Sequence, residues 1–208
     1  MNHSLKSILP VVLMISVLAC KDKSKPMYTP PDYSENYKYF PIKDGREWNY
    51  EITYVDSINN SRELYTELAK YNKDSSRTDY FRDGNLVSYA YWTNYDNKLG
   101  CCEGAVLVDY NQLECKSDSV LIFKKVSGTT QIAVFQYCEK KFLTDVPKYE
   151  GISCIKTFQR NTYKGGNTLL IINYFGYGVG LIFRQQTRFD KFGKFESQET
   201  QKLLSHNF

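Results

Sequence analysis

The stretch 47–55, "EWNYEITYV", decides the fold class of this 208-residue chain. Large apolar side chains alternate with polar ones along it, which places one set on each face of a strand: Trp48, Tyr50, Ile52 and Tyr54 against Glu47, Asn49, Glu51 and Thr53. Successive side chains of a β-strand point to opposite faces, and this period of two indicates one buried and one solvated face. We therefore predict a half-buried β-strand here.

Comparable segments follow at short intervals to the end of the chain. The further predicted strands are 62–71, 78–81, 86–93, 105–109, 119–126, 131–137, 152–160, 168–175, 179–189 and 194–204. Segment 62–71 also fits one or two helical turns, but no stretch keeps a helical period over three turns. Asp83-Gly84 is a strong hairpin signal between two of these strands. The pattern predicts an all-β fold, a single antiparallel sheet over residues 37–208.

Three glycines alternate within "YFGYGVGLIF", residues 174–183: Gly176, Gly178 and Gly180. Glycine inside a strand permits a bulge or a sharp bend, and strongly curved sheets need such points. We therefore predict that the sheet is strongly curved, as a half-barrel or an open barrel. A phosphate-binding glycine loop is not expected, because no helix follows a strand here.

The first twenty residues have the layout of a secretory signal. Lys6 supplies a short positive region, and an apolar segment, 8–18, leads through small residues to Cys20. This segment is shorter than the about 20 apolar residues of a membrane-spanning helix. We predict a signal peptide at 1–19, followed at 20–36 by a polar tether rich in proline.

The end of that signal, Val17-Leu18-Ala19-Cys20, resembles the lipobox of bacterial lipoproteins. The resemblance implies cleavage before Cys20 and acylation of its thiol, so that chains such as palmitate anchor the protein to a membrane. In Gram-negative lipoproteins an aspartate after the cysteine tends to retain the protein at the inner membrane. Lys21 stands there in this chain, which implies the outer membrane and leaves its periplasmic or outer side open.

Three segments together carry a second resemblance: "YFPIKDGREWNY" at 39–50, "VPKYEGISCIK" at 146–156 and "YFGYGVGLIF" at 174–183. The combination resembles a group of small exported bacterial β proteins and lipoproteins that includes those called TapB-like. The resemblance implies the fold and an exported location, but no mechanism. It does not extend to the middle of the chain, which contains Cys101-Cys102.

The net charge bears on the class of binding partner, and the cysteine content bears on disulfide bonds. The net charge is +4 and the lysines are scattered, so we expect no nucleic acid partner. Besides Cys20 there are five cysteines: Cys101, Cys102, Cys115, Cys138 and Cys154. Five thiols cannot all pair within one chain, so we predict one or two disulfides and a buried thiol, with the pairing open.

Catalytic signatures are missing from the sequence. After the signal the only histidine is His206, near the C-terminus, where we expect it to be frayed. Adjacent Cys101 and Cys102 do not have zinc-ligand spacing. We expect no enzymatic activity, no cofactor and no metal. Redox activity of these cysteines, and glycosidase-like carboxylate pairs such as Asp79 with Asp83, are less favoured alternatives.

The aromatic content is compatible with two hypotheses of function, which belong to different classes. The chain has 18 Tyr, 12 Phe and 2 Trp, which suit a sheet and can also line a binding surface. One hypothesis is a binding or carrier module for an apolar ligand or lipid; the other is a structural lipoprotein with a packed interior that docks another envelope protein. The candidate wall or core residues are Trp48, Tyr50, Tyr89, Tyr91 and Trp92.

Overall fold

β-Strands make up nearly all regular structure in the part of the chain that the computed structural model describes, residues 39–40, 43–72, 77–95, 98–101, 105–112, 119–137, 149 and 152–208. Those residues form twelve strands: β1 Glu47–Asp56, β2 Ser61–Asn72, β3 Arg77–Arg82, β4 Asn85–Tyr95, β5 Lys98–Cys101, β6 Ala105–Asp109, β7 Ser119–Ser127, β8 Thr130–Tyr137, β9 Cys154–Tyr163, β10 Thr168–Gly176, β11 Gly180–Phe189 and β12 Phe195–His206. A 3₁₀ turn, Tyr110–Gln112, follows β6, and no α-helix occurs within the described ranges. The predicted all-β class is confirmed.

The predicted alternation of β1 is confirmed from Trp48 to Ile52, whereas Thr53 and Tyr54 are both half-buried. Trp48, Tyr50 and Ile52 are buried, whereas Asn49 between them is exposed. We call the side of the sheet that carries these three buried residues the inner face.

Pairing of the first strand with the last determines the topology. The strands lie in the order β6-β5-β4-β3-β2-β1-β12-β11-β10-β9-β8-β7, and every described pair of neighbours is antiparallel. The sheet therefore consists of two six-stranded meanders, β1–β6 and β7–β12, joined by the β1–β12 ladder. That ladder runs from Trp48 opposite His206 to Asp56 opposite Ser197.

The predicted strong curvature is wrong. No backbone ladder joins the end strands β6 and β7, and the sheet is neither strongly curled nor closed. Side chains nevertheless connect the two ends, since one buried cluster combines residues of β4–β6 with residues of β9–β11: Trp92, Leu99, Leu107, Val108, Ile155, Phe175 and Leu181. The core thus forms where the two meanders meet through side chains rather than around a barrel axis.

Phe40 links this cluster to the second one, which contains Trp48. Its ring stacks on Trp92 with centroids 4.4 Å apart and on Trp48 at 5.8 Å. Aromatic pairs at such separations contribute beyond the area they bury. Phe40, which precedes β1, therefore anchors both halves of the core.

Trp48 and Tyr50 also complete the hydrogen bonding where β11 and β12 separate. The β11–β12 ladder begins only at Phe183, so the residues before it have no β12 partner. Trp48 Nε1 donates to Val179 O at 2.7 Å, and Tyr50 OH donates to Leu181 O at 3.0 Å. Because a buried carbonyl without a partner is costly, these side chains replace the missing rungs.

The glycine-rich segment forms a hairpin turn rather than a bend within a strand. Gly176 pairs with Gly180 across the hairpin, and Gly178 and Gly180 have φ of +76° and +96°. A side chain at Gly176 would clash with Ile182. The prediction that these glycines alternate within one strand is wrong, because positive φ suits a turn.

A bulge next to this turn interrupts the alternation of faces along β11. Tyr174 lies opposite Phe183 and Phe175 opposite Leu181, so Ile182 is the extra residue. Ile182 and Phe183 belong to one buried cluster and Leu181 to the other. Ile182 therefore packs in the same cluster as Phe183, since a bulge resets the period of two.

Other local predictions have clear outcomes. The Asp83-Gly84 hairpin is confirmed, with φ of +51° and +79° at its two residues, and segment 62–71 lies in a strand. The four-residue strand β5 was not predicted. His206 is not frayed, because it ends β12 with its ring 4.6 Å from that of Phe208.

Candidate binding site

Five polar side chains form a row across five neighbouring strands of the inner face. The ladders place them directly opposite one another in the order Gln136, Thr157, Asn173, Arg184 and Gln201, from β8 to β12. Directly opposed residues of antiparallel strands have Cβ atoms about 5 Å apart on the same face. Four of the five are at most 5% exposed, and Arg184 is half-buried. We call this set the polar row.

Gln136 in this row has its hydrogen bonds satisfied by the opposite end of the sheet. Its Oε1 accepts from Asp109 N at 2.9 Å, and its Nε2 donates to Asp109 O at 3.1 Å and to Gln112 O at 3.2 Å. This buried amide therefore acts as a structural clamp between β8 and the end of β6.

Asn173 and Arg184, at the centre of the row, have hydrogen-bonding capacity left over. Asn173 Nδ2 donates to Thr157 Oγ1 at 3.3 Å, but the buried Asn173 Oδ1 has no partner. Arg184 Nε is also buried without an acceptor. Most buried polar atoms are paired in folded proteins, so unpaired atoms on two directly opposed residues make this part of the row a candidate place for a bound group.

The charge of Arg184 has no carboxylate beside it among the described residues. Arg77 and Arg82, by contrast, lie 2.6 Å from Asp79 Oδ1 and 2.9 Å from Glu67 Oε1. Arg184 therefore differs from these two arginines in carrying a half-buried charge without an ion pair among the described residues.

A groove leads along the inner face to the polar row. It has a volume of about 300 Å³ and is lined by Tyr54, Asp56, Ile58, Gln186, Arg188, Glu196, Ser197 and Glu199. Gln186 and Glu199 lie opposite each other, two residues along their strands from Arg184 and Gln201. Two residues of strand span about 7 Å, so the groove floor adjoins the row. We call it the inner groove.

Charges in the inner groove are mainly negative. Asp56, Glu196 and Glu199 face one cation, Arg188. Asp56 Oδ1 accepts from Ile58 N at 2.8 Å and from Asn59 N at 3.1 Å. Hydrogen bonds from Asn59 hold the pKa of Asp56 below its ordinary value, so this carboxylate stays ionised at neutral pH.

Tyr50 supplies a protonated hydroxyl next to the row. Burial raises its pKa well above 10.0; the nearby Tyr80 raises it further, whereas Arg184 lowers it. The hydroxyl is therefore a permanent donor at neutral pH, and it is already used by Leu181 O.

Three of the predicted candidate residues lie in the packed core. Trp48, Tyr50 and Trp92 are 1%, 3% and 1% exposed. The sequence left open whether they form a wall or a core, and the structure places them in the core.

The other two aromatic candidates lie on the opposite face. Tyr89 and Tyr91 of β4 are about half exposed, and their rings form an edge-to-face pair at 5.5 Å. The Arg77 guanidinium lies 4.9 Å from the Tyr89 ring centroid. The five predicted residues therefore do not form one site.

Of the cysteine predictions, the structure bears on that of a buried thiol. Cys20, the predicted acylation site, lies outside the described residues, as do Cys102, Cys115 and Cys138. Cys154 is a buried thiol that donates to Ile152 O at 3.2 Å. Within the described ranges, no group of three His, Cys, Asp or Glu side chains is placed to bind a metal ion.

Sequence reasoning missed the polar row. The one available signal was Asn173, a lone amide inside the apolar run "TLLIINYFG". Its partners come from four other strands, so the row exists only once the register is known.

Comparisons with known proteins give no family. No protein-family model matches the chain, and no curated protein matches it significantly. In the described part of the chain, no helix is long and apolar enough to cross a membrane. The resemblance to the TapB-like group stays a prediction.

Two of the buried amides of the row, Gln136 and Asn173, should respond differently to the same substitution. Gln136→Leu leaves Asp109 N and O without their side-chain partner, and each unpaired buried group costs about 1–3 kcal/mol. We expect it to lower the free energy of unfolding by at least about 2 kcal/mol. Asn173→Leu removes an unpaired buried oxygen but also the donor to Thr157 Oγ1, so we expect it to cost about 1 kcal/mol, less than Gln136→Leu.

Denaturant unfolding of the two variants and the parent chain measures this difference. An equal loss of stability in both variants would show that Asn173 is as structural as Gln136, and would contradict the assignment of a site to it.

Proposed function

We propose that the chain is a lipid-anchored protein of the bacterial outer membrane whose sheet is a non-enzymatic binding module. The polar row and the inner groove form its ligand site. One observation supports the ligand site: Asn173 Oδ1 and Arg184 Nε are buried and unpaired on directly opposed residues, and Arg184 lies two residues along β11 from Gln186 of the inner groove. Leaving such atoms unpaired costs free energy, and a ligand that pairs them recovers it.

The site favours a polar ligand over the apolar ligand or lipid suggested by the aromatic content. Trp48, Tyr50 and Trp92 pack against other side chains of the core. The groove is lined mainly by three carboxylates, one amide, a serine hydroxyl and an arginine. Its volume of about 300 Å³ lies at the small end of ligand pockets, which span about 300–1,000 Å³.

Docking to another envelope protein is the second candidate, and β4 supports it. Its outward residues are about half exposed and mostly apolar or aromatic: Leu86, Val87, Tyr89 and Tyr91. Exposed apolar patches of this kind commonly mark interaction surfaces. This surface and the inner groove lie on different faces, so the two functions are compatible.

The anchor depends on the thiol of Cys20, because acyl transfer needs a cysteine at that position. We expect Cys20→Ala to abolish incorporation of a clickable palmitate analogue and to release the protein from the membrane fraction. Continued labelling of that variant would contradict the anchor.

Ligand capture can be tested by equilibrium dialysis of the purified full chain against a small-molecule extract of bacterial envelopes. Mass spectrometry should show at least one compound enriched with the parent chain and not with Asn173→Leu. Arg160→Met, on the outward face of β9, is the control and should capture the same compound as the parent. Identical profiles for the parent and Asn173→Leu would refute a site in the polar row.

A further inference from the structure

The two unpaired atoms of the polar row are of opposite kinds. Asn173 Oδ1 can only accept a hydrogen bond, and Arg184 Nε can only donate one. A hydroxyl donates one hydrogen bond and accepts others, so a single hydroxyl placed between these opposed side chains satisfies both atoms. A carboxylate could accept from Arg184, but it would leave Asn173 Oδ1 facing a second oxygen.

We propose that the site takes a neutral, polyhydroxylated ligand of the saccharide class, an inference that rests on the proposed binding function. One ligand hydroxyl lies between Asn173 and Arg184, and the rest of the ligand occupies the inner groove.

The charges along the groove support a neutral ligand. An anion would have to pass Asp56, Glu196 and Glu199, with only Arg188 to offset them. A cation would pass these carboxylates but end beside the unpaired charge of Arg184. Like charges brought together in a partly desolvated site cost free energy, so a net charge of either sign is disfavoured.

The groove walls match the functional groups of a sugar ring. Gln186 Nε2 donates to Glu199 Oε1 at 3.0 Å, which fixes both side chains and leaves the second carboxylate oxygen able to accept from a hydroxyl. Ser197 adds a hydroxyl on the next row, opposite Arg188. Tyr54, opposite Glu199, offers an apolar ring for the C–H groups of a sugar. Polar groups held in place in this way favour recognition by hydrogen bonds.

The direct test is calorimetric titration of the full chain in a detergent without a sugar headgroup. The neutral probes are glucose, galactose, mannose, N-acetylglucosamine and the disaccharides maltose and chitobiose. Glucuronate and glucosamine are charged analogues with the same ring. We expect saturable binding of at least one neutral sugar, and binding at least about tenfold weaker for the charged analogues.

Two variants and one control locate the site. Asn173→Leu and Arg184→Met should each weaken the binding of that sugar by about tenfold or more, because each leaves one ligand hydrogen bond unmade. Arg160→Met removes an arginine from the opposite face and should leave the affinity unchanged. Circular dichroism of each variant checks that the sheet is retained.

Each other outcome overturns a defined part of the proposal. Sugar binding that survives both Asn173→Leu and Arg184→Met would place the sugar elsewhere and overturn the site. Binding of glucuronate or glucosamine alone, lost in both variants, would overturn the neutral class and keep the binding function. No binding of any probe would overturn the saccharide ligand; the dialysis experiment then decides the binding function separately.

Discussion

The ladder between β1 and β12 is the contact on which the rest of the structure depends. It is the backbone ladder that joins the two meanders, and it sets their relative register. With Ile52 opposite Gln201, the polar row ends against the apolar face of β1. A slip of one residue would turn every side chain of one meander to the other face. The ladder therefore determines both where the core forms and where the site lies.

Two buried amides of the polar row show that burial alone does not tell a structural residue from a functional one. Gln136 and Asn173 are both essentially inaccessible, yet the first has three hydrogen bonds from its side chain and the second keeps an unpaired oxygen. Folding alone explains the first, because Gln136 joins the two ends of the sheet. The second leaves a buried acceptor unpaired at a cost in free energy, which is the property expected of a residue that serves a ligand.

The sequence predicts the strands well where local pattern determines them. Alternation fixed β1, and Asp83-Gly84 fixed the β3–β4 hairpin because few other residues accept positive φ. β5 has only four residues, too few to show a period, and the 176–180 glycines fit a bend or a turn equally well until the pairing of Gly176 with Gly180 is known.

The site could not be predicted, because it depends on register across strands distant in sequence. Gln136 and Gln201 are 65 positions apart in numbering and meet only through three intervening strands. Large aromatic residues were the natural candidates for a binding wall, but Trp48 and Trp92 stack on Phe40 instead. The large apolar area of the tryptophans favours their burial in the core. Polar side chains form the candidate site instead.

Hydrogen exchange of the backbone amides tests the central role of the β1–β12 ladder most directly. If that ladder holds the two meanders together, amides of β1 and β12 should exchange at least about tenfold more slowly than those of the end strands β6 and β7. Peptide-resolved mass spectrometry of the full chain would show this. Exchange of β1 and β12 as fast as that of β6 and β7 would contradict the account.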